Sequence, residues 1–225
     1  MVFPRPIRAV VFDMDGLLID TESPIRDALM AAAQAMDREL PLRVFLRMIG
    51  TTDADSNRML ADHFGPGFDL EAYHHDVRRR VDVAFEAGVQ LKAGVFELLD
   101  VLDDLGLPRA VATSSSRASV ERCLAPPLFG RFSAFVTRES VVNGKPHPEP
   151  YLKAAAALAT PPGDCLALED SHNGVRAAHA AGMMTVMVPD LLDPTDEMHD
   201  KCVAIAQSLH HVRDLIVARQ PRALS

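Results

Sequence analysis

The chain has 225 residues, 48% hydrophobic content and a formal charge of −8 at pH 7, which suits a globular protein with one large domain or a core with a smaller second domain. Its longest basic run is Arg78–Arg80, which argues against a nucleic-acid or anionic-membrane surface. The three cysteines are widely spaced, which suits a reducing compartment. Prolines and arginines interrupt the N-terminus, and there is no apolar run of membrane-spanning length. These features predict a cytoplasmic protein without membrane attachment.

The N-terminal segment predicts a buried strand that ends in acidic residues. The stretch "IRAVVF" (7–12) is apolar without alternation, which is typical of a strand covered on both faces. Asp13 and Asp15 follow it directly. Taken alone, such a D-x-D pair is more typical of a turn or a helix cap. Ligand sites in parallel sheets lie at the carboxyl ends of strands, so the pair is also a candidate for chemistry.

The interval from Ser23 to Gln90 contains helical patterns and no good strand pattern. We therefore expect an all-helical domain, inserted after the first strand, at residues 21–90, and a core domain at residues 1–20 and 91–225. The predicted helices of the insert lie at 24–36, 41–49, 53–64 and 70–88.

The rest of the chain alternates between helices and strands. This alternation predicts an α/β fold with a doubly wound, Rossmann-like and mostly parallel sheet that carries helices on both faces. The predicted helices lie at 95–106, 116–124, 148–159 and 171–182. The predicted strands lie at 109–113, 165–169 and 184–189, with a weaker one at 133–136.

Polar residues follow these strands and should meet at one edge of the sheet. Several carboxylates crowded together need a cation to stay ionised, and oxygen ligands suit Mg²⁺. Hydroxyls, a lysine and loop amides suit a phosphate group. The sequence thus predicts a phosphoryl-transfer site, although Ser115 or Ser116 is also typical of the N-cap of the following helix. The residues concerned are Asp13, Asp15, Thr113, Ser114, Lys145, Glu169 and Asp170.

Four motifs in order, "DMDG", "ATSSS", "GKPHPEP" and "LEDSHNG", resemble those of the haloacid dehalogenase (HAD) superfamily, in the branch with a helical cap after the first motif. Within it the chain is similar to sugar-phosphate phosphatases and to β-phosphoglucomutase. The resemblance covers nearly the whole chain. It implies that residues 21–90 form a cap domain and that the protein hydrolyses a small phosphorylated metabolite, a sugar phosphate or nucleoside monophosphate, through an aspartyl-phosphate.

The resemblance also implies roles for the motif residues. Asp13 is expected to be the nucleophile, and Asp15 the general acid and base. Thr113, Ser114 and Lys145 are expected to hold the transferring phosphoryl group.

Mg²⁺ is the cofactor that the resemblance implies. Asp13, Asp170 and the Asp15 carbonyl are expected to bind it, with Glu169 acting directly or through water. Gly16 suits the sharp turn that leaves the first strand without a side chain in the site.

Substrate choice is expected to lie in the cap. The stretch "IGTTDADS" (49–56) resembles the cap loop that faces the nucleophile in related enzymes. The short polar residues there favour a hydroxylated leaving group. By alignment, the cap arginine of the mutase falls on an acid here, which favours the phosphatase. The specificity candidates are Glu22, Thr51, Thr52 and Asp53.

Two alternatives to the phosphatase stay open at this point. A phosphosugar mutase is the second hypothesis. A catalytically silent binding protein is the third, and it is disfavoured because every chemical position is filled. A dehalogenase is disfavoured more strongly, because that reaction needs neither an acid at Asp15 nor a metal ligand at Asp170. The sequence names neither the substrate nor the oligomeric state, and a monomer is compatible with it.

Overall fold

The computed structural model describes residues 3–49 and 53–218. The chain divides into two compact units, a helical one and an α/β one whose sequence the helical one interrupts. Among the described residues, no helix combines the length and apolar character needed to cross a bilayer. The α/β unit comprises Met1–Ile19 and Leu91–Ser225, and the helical unit comprises Asp20–Gln90.

The helical unit contains the four helices expected from the sequence. Tyr73 of the last helix is fully buried, and its hydroxyl donates a hydrogen bond to the Leu29 carbonyl of the first helix at 3.0 Å. Asp69 caps the last helix by accepting from the Ala72 amide at 2.9 Å. Asp20 belongs to this unit, one residue before the boundary expected from the sequence. The helices are α1 (Glu22–Ala35), α2 (Leu42–Met48), α3 (Asp53–Phe64) and α4 (Leu70–Glu86).

The described part of the α/β unit contains a six-stranded sheet with every adjacent pair parallel, in the order β3-β2-β1-β4-β5-β6. The predicted doubly wound α/β fold is confirmed. The last strand was not predicted, because two half-buried residues are too few to form a pattern. The strands are β1 (Ala9–Phe12), β2 (Arg109–Ala112), β3 (Ala134–Val136), β4 (Cys165–Glu169), β5 (Met184–Met187) and β6 (Ala204–Ile205).

The first strand lies at the centre of the sheet. β1 pairs with β2 on one side and with β4 on the other, and its four residues are fully buried. The Asp13 amide then donates to the Leu168 carbonyl of β4 at 2.9 Å. This pairing brings Asp13 to the carboxyl edge of the sheet, beside the end of β4.

Helices cover the sheet, and small side chains let two of them approach it closely. Tyr151, Ala154 and Ala155 of one helix and Ala177 and Ala178 of another belong to one buried cluster with residues of the central strands. The helices are α5 (Val95–Asp104), α6 (Arg117–Cys123), α7 (Pro126–Phe129), α8 (Glu149–Ala157), α9 (His172–Ala180), α10 (Asp196–Lys201) and α11 (Leu209–Val217).

Three of these helices were not predicted. α7 has only four residues, two of them prolines, and α10 is polar apart from the buried Met198. α11 carried a usable signal, because Leu209, Val212 and Ile216 recur at helical spacing and are buried.

Candidate active site

The carboxyl edge of the sheet gathers acidic side chains from two adjacent strands. Asp13 follows β1, Glu169 ends β4, and Asp170 comes next in the chain. All three are buried, and their nearest ligand atoms lie within 4.8 Å of one another. Parallel pairing produces this cluster, because it brings the carboxyl ends of neighbouring strands to the same edge.

Lys145, in the loop before α8, is the cation of this cluster. Its side chain is 6% exposed, and Nζ donates to Asp13 Oδ1 and to Glu169 Oε1, both at 2.5 Å. Burial opposes the charge of the ammonium group, but the two carboxylates outweigh it and raise the pKa of Lys145 above its ordinary value. Lys145 therefore stays charged although it is buried.

The two carboxyl groups that share Lys145 respond to burial differently. Burial raises the pKa of Asp13 well above its ordinary range; Lys145 acts in the opposite direction, and the neighbouring Glu169 and Asp15 carboxylates raise it further. Burial acts in the same direction on Glu169, but Lys145 and other donors outweigh it and lower the pKa of that carboxyl. A second cation at the cluster would favour the ionised form of Asp13.

Protein donors occupy both oxygens of Glu169. Oε1 accepts from the Tyr151 hydroxyl at 2.7 Å as well as from Lys145. Oε2 accepts from the backbone amides of Asp170 and Ser171, each at 3.1 Å, and from the Ser171 hydroxyl at 3.0 Å. Glu169 is thus fixed at the beginning of α9 and holds Lys145 in turn. The contact of Tyr151 was not predicted from the sequence.

Two glycines leave the room that these carboxylates need. A Cβ at Gly174 in α9 would lie 1.7 Å from Glu169 Oε1. A Cβ at Gly16 would lie 2.3 Å from Asp170 Oδ2, and Gly16 has a φ of +82°. The expectation that Gly16 serves a sharp turn without a side chain is confirmed. Gly174 was missed, although it lies in the "LEDSHNG" motif.

Asp15 is held by hydroxyl groups that follow β2. Its Oδ2 accepts from Thr113 Oγ1 at 3.1 Å and from Ser115 Oγ at 2.8 Å. Ser116 caps α6 by accepting from the Ser119 amide at 3.2 Å. Of the two serines considered as caps, Ser116 is therefore the cap, and Ser115 is a contact of Asp15. The sequence could not separate them, because adjacent serines differ only in the direction of their side chains.

Most of the predicted site residues come together in the α/β unit. Direct contacts join Asp13, Lys145 and Glu169, and others join Asp15 to Thr113. Asp170 belongs to the acidic cluster, and the exposed Ser114 follows Thr113.

The four specificity candidates belong to the helical unit. Glu22 begins α1 and Asp53 begins α3, whereas Thr51 and Thr52 lie outside the described residues. Their contribution to specificity stays a prediction.

The acidic cluster fits a hard divalent cation. Three buried carboxyl groups converge while Lys145 supplies one positive charge to two of them, and burying the remaining charge without a partner is unfavourable. The donors are oxygens, which suit Mg²⁺ and ions like it. Because protein donors already occupy both oxygens of Glu169, Asp13 and Asp170 are the side chains best suited to bind such an ion directly.

Comparisons with known proteins agree with this geometry. The family model described as haloacid dehalogenase-like hydrolase matches residues 7–182. A probable pseudouridine-5'-phosphatase of Drosophila melanogaster is 36% identical, with 83% of each chain covered. Hexitol phosphatase B of Escherichia coli is 35% identical over 84% of this chain and 86% of its own.

A solved structure is similar over nearly the whole chain. It is a HAD family hydrolase from Deinococcus radiodurans with bound phosphate and sodium, with a TM-score of 0.82 and 25% identity. The match covers 95% of this chain and 96% of that one. The ordered motifs, the parallel sheet and these relatives lead to one conclusion: the chain belongs to the haloacid dehalogenase-like hydrolase family.

Proposed function

We propose that the protein is a Mg²⁺-dependent phosphatase that hydrolyses a small phosphorylated metabolite through an aspartyl-phosphate on Asp13. The observation that carries this proposal is the buried cluster of Asp13, Glu169 and Asp170, in which the Lys145 ammonium group binds two of the three carboxylates. Relatives named phosphatases at 35–36% identity support the same reaction class.

In this mechanism an Asp13 carboxylate oxygen attacks phosphorus and forms the aspartyl-phosphate, while the alkoxide leaves. A carboxylate is a competent nucleophile when its charge is screened from the phosphate dianion. Lys145 supplies part of that screening, because its Nζ lies 2.5 Å from Asp13 Oδ1. When bound, Mg²⁺ supplies further charge stabilisation for the transferring oxygens.

Asp15 moves the protons. Its carboxyl group gives a proton to the departing alkoxide and later takes one from the water that attacks the aspartyl-phosphate. Hydroxyl donors of Thr113 and Ser115 orient this group at 3.1 and 2.8 Å. Hydrolysis then releases inorganic phosphate and restores the Asp13 carboxylate, which completes the cycle.

The metal is proposed to be bound by Asp13, Asp170 and the Asp15 carbonyl. Glu169 would reach it through water, because five protein hydrogen bonds already engage its two oxygens. The chief role of Glu169 would be to orient Lys145.

The substrate is proposed to be a hydroxylated phosphomonoester, such as a sugar phosphate or a nucleoside monophosphate. The relatives are named for hexitol phosphate and pseudouridine 5'-phosphate chemistry, and both leaving groups carry several hydroxyls. We propose that the helical unit acts as a cap and selects the leaving group with Glu22, Thr51, Thr52 and Asp53. A screen of phosphorylated sugars, nucleotides and acids for released phosphate would identify the substrate.

The first prediction concerns the nucleophile. Asp13→Asn should abolish hydrolysis of p-nitrophenyl phosphate and of any substrate that the screen finds, because an amide oxygen cannot form the acyl phosphate. Asp164→Asn, the same change in a half-buried residue just before β4, should keep wild-type activity. Activity of Asp13→Asn within about tenfold of wild type would contradict covalent catalysis.

The second prediction concerns the metal. EDTA should abolish activity and Mg²⁺ should restore it. Asp170→Ala should raise the Mg²⁺ concentration needed for half-maximal rate sharply, because the ion loses a carboxylate ligand. Asp164→Ala is the matched control, since Asp164 and Asp170 flank the two ends of β4. Full activity of the wild type in chelator would exclude the metal-dependent mechanism.

The third prediction concerns the acid. Asp15→Ala should leave the Mg²⁺ requirement unchanged, because the proposed ligand there is a backbone carbonyl. Turnover of alkyl phosphates should fall by about 10²–10⁴, the usual scale of general acid catalysis. The fall should be smaller for p-nitrophenyl phosphate, whose leaving group barely needs a proton. Equal losses for both classes of leaving group would argue against an acid role.

The fourth prediction separates hydrolysis from mutase activity. A phosphosugar mutase binds a bisphosphate and needs a cationic group for the second phosphate, whereas the residue aligned with that arginine is Asp53. With β-glucose 1-phosphate and a bisphosphate primer, we expect free phosphate or no reaction, without accumulation of glucose 6-phosphate. Measuring both products in one time course decides between them, and isomerisation faster than phosphate release would establish a mutase.

A further inference from the structure

A further carboxyl group, outside the acidic cluster and the HAD motifs, lies at the same edge of the sheet. Asp190 is the third residue after β5. β5 pairs in parallel with β4, with Met187 opposite Glu169, and the Val188 amide donates to the Glu169 carbonyl at 2.7 Å. The segment that carries Asp190 is therefore fastened to the end of β4, where the acidic cluster lies.

The two oxygens of Asp190 differ in their surroundings. Oδ1 accepts from Lys92 Nζ at 2.6 Å. Oδ2 is buried and has no hydrogen-bond partner within residues 3–49 and 53–218. A buried carboxylate oxygen that accepts no hydrogen bond is unfavourable. We therefore expect Oδ2 to accept a hydrogen bond from a group that is not among the described residues.

Asp190 Oδ2 faces the space beside Gly16. A Cβ built on Gly16 would lie 3.4 Å from Asp190 Oδ2 and 2.3 Å from Asp170 Oδ2. The two carboxylate oxygens thus approach one small space, which the glycine leaves open. Like charges that converge on one space repel each other, so a donor or cation between them is favourable.

On the basis of the proposed function, we propose that Asp190 is a further positioning residue of the metal site and that Oδ2 accepts a hydrogen bond from a Mg²⁺-bound water. Mg²⁺ keeps several of its waters in proteins, and these waters donate to nearby carboxylates. Asp190 is outside the group whose ligand atoms lie within 4.8 Å of one another, which favours contact through water over direct ligation. Lys92 binds only Oδ1, which leaves Oδ2 for the water.

The competing explanation is that Asp190 serves only as the ion-pair partner of Lys92. The Lys92 amide also donates to the Leu18 carbonyl at 3.0 Å, so the pair could simply fix the loop that contains Gly16. The two explanations predict different responses from the two partners. A structural pair loses the same interaction whichever partner is changed. If Asp190 acts at the metal, Mg²⁺ binding weakens only when the Asp190 charge is lost.

The test is calorimetric titration of Mg²⁺ into substrate-free wild type, Asp190→Asn, Lys92→Gln and the double variant. Asp190→Asn should raise the Kd for Mg²⁺ by about tenfold or more, the scale found for residues that orient metal ligands. Lys92→Gln removes a nearby positive charge and should leave the Kd unchanged or lower it. The double variant should bind like Asp190→Asn, and it gives the same information if the single variant is too unstable to purify.

Asp164→Asn is the matched control, because it removes the same charge at the opposite end of β4 and should leave the Kd unchanged. An unchanged Kd in Asp190→Asn and in the double variant, or equal weakening in both single variants, would overturn the inference. Wild type that neither binds Mg²⁺ nor hydrolyses any monoester would instead refute the proposed function, and the inference with it.

Discussion

The arrangement of the site depends on one buried ammonium group held between two buried carboxylates. Lys145 is 6% exposed, and its partners Asp13 and Glu169 are 8% and 0% exposed. Removing one member of such a cluster leaves charge without compensation in a medium of low polarity. Because Lys145 lies 132 residues from Asp13 and 24 from Glu169, the sheet must hold three distant segments in register for the cluster to exist.

The need to satisfy the buried Glu169 carboxylate explains several of the residues around it. A fully buried carboxylate is tolerated only where its oxygens accept hydrogen bonds. Here the donors are the side chains of Lys145, Tyr151 and Ser171 and the backbone amides of Asp170 and Ser171, just before α9. The beginning of a helix suits this purpose, since its free amides favour negative charge. The same packing brings Glu169 so close to α9 that there is no room for a side chain at position 174, which is a glycine.

The acidic character of the protein is compatible with an anionic substrate. A net charge of −8 gives no general attraction to phosphate, so attraction has to come from local groups. In the proposed mechanism Lys145 would provide one such group, and Mg²⁺ would provide another at the carboxylates themselves. A buried, acidic cluster can in this way serve a dianionic substrate, provided that the cation binds first or together with the substrate.

The sequence by itself determined the parallel α/β fold, the helical insertion and the residues at the carboxyl ends of the strands, because apolar runs, helical periodicity and motif order are local or ordered properties of the chain. It did not predict β6, α7 and α10, whose short segments carry too little pattern. It also did not predict α11, although apolar residues recur there at helical spacing. Only the tertiary structure decided which side chains meet. Four residues that contact or approach the acidic groups were found only in this way: Tyr151, Ser115, Gly174 and Asp190. Their positions depend on side-chain directions and on packing between distant segments, and no spacing along the chain encodes these.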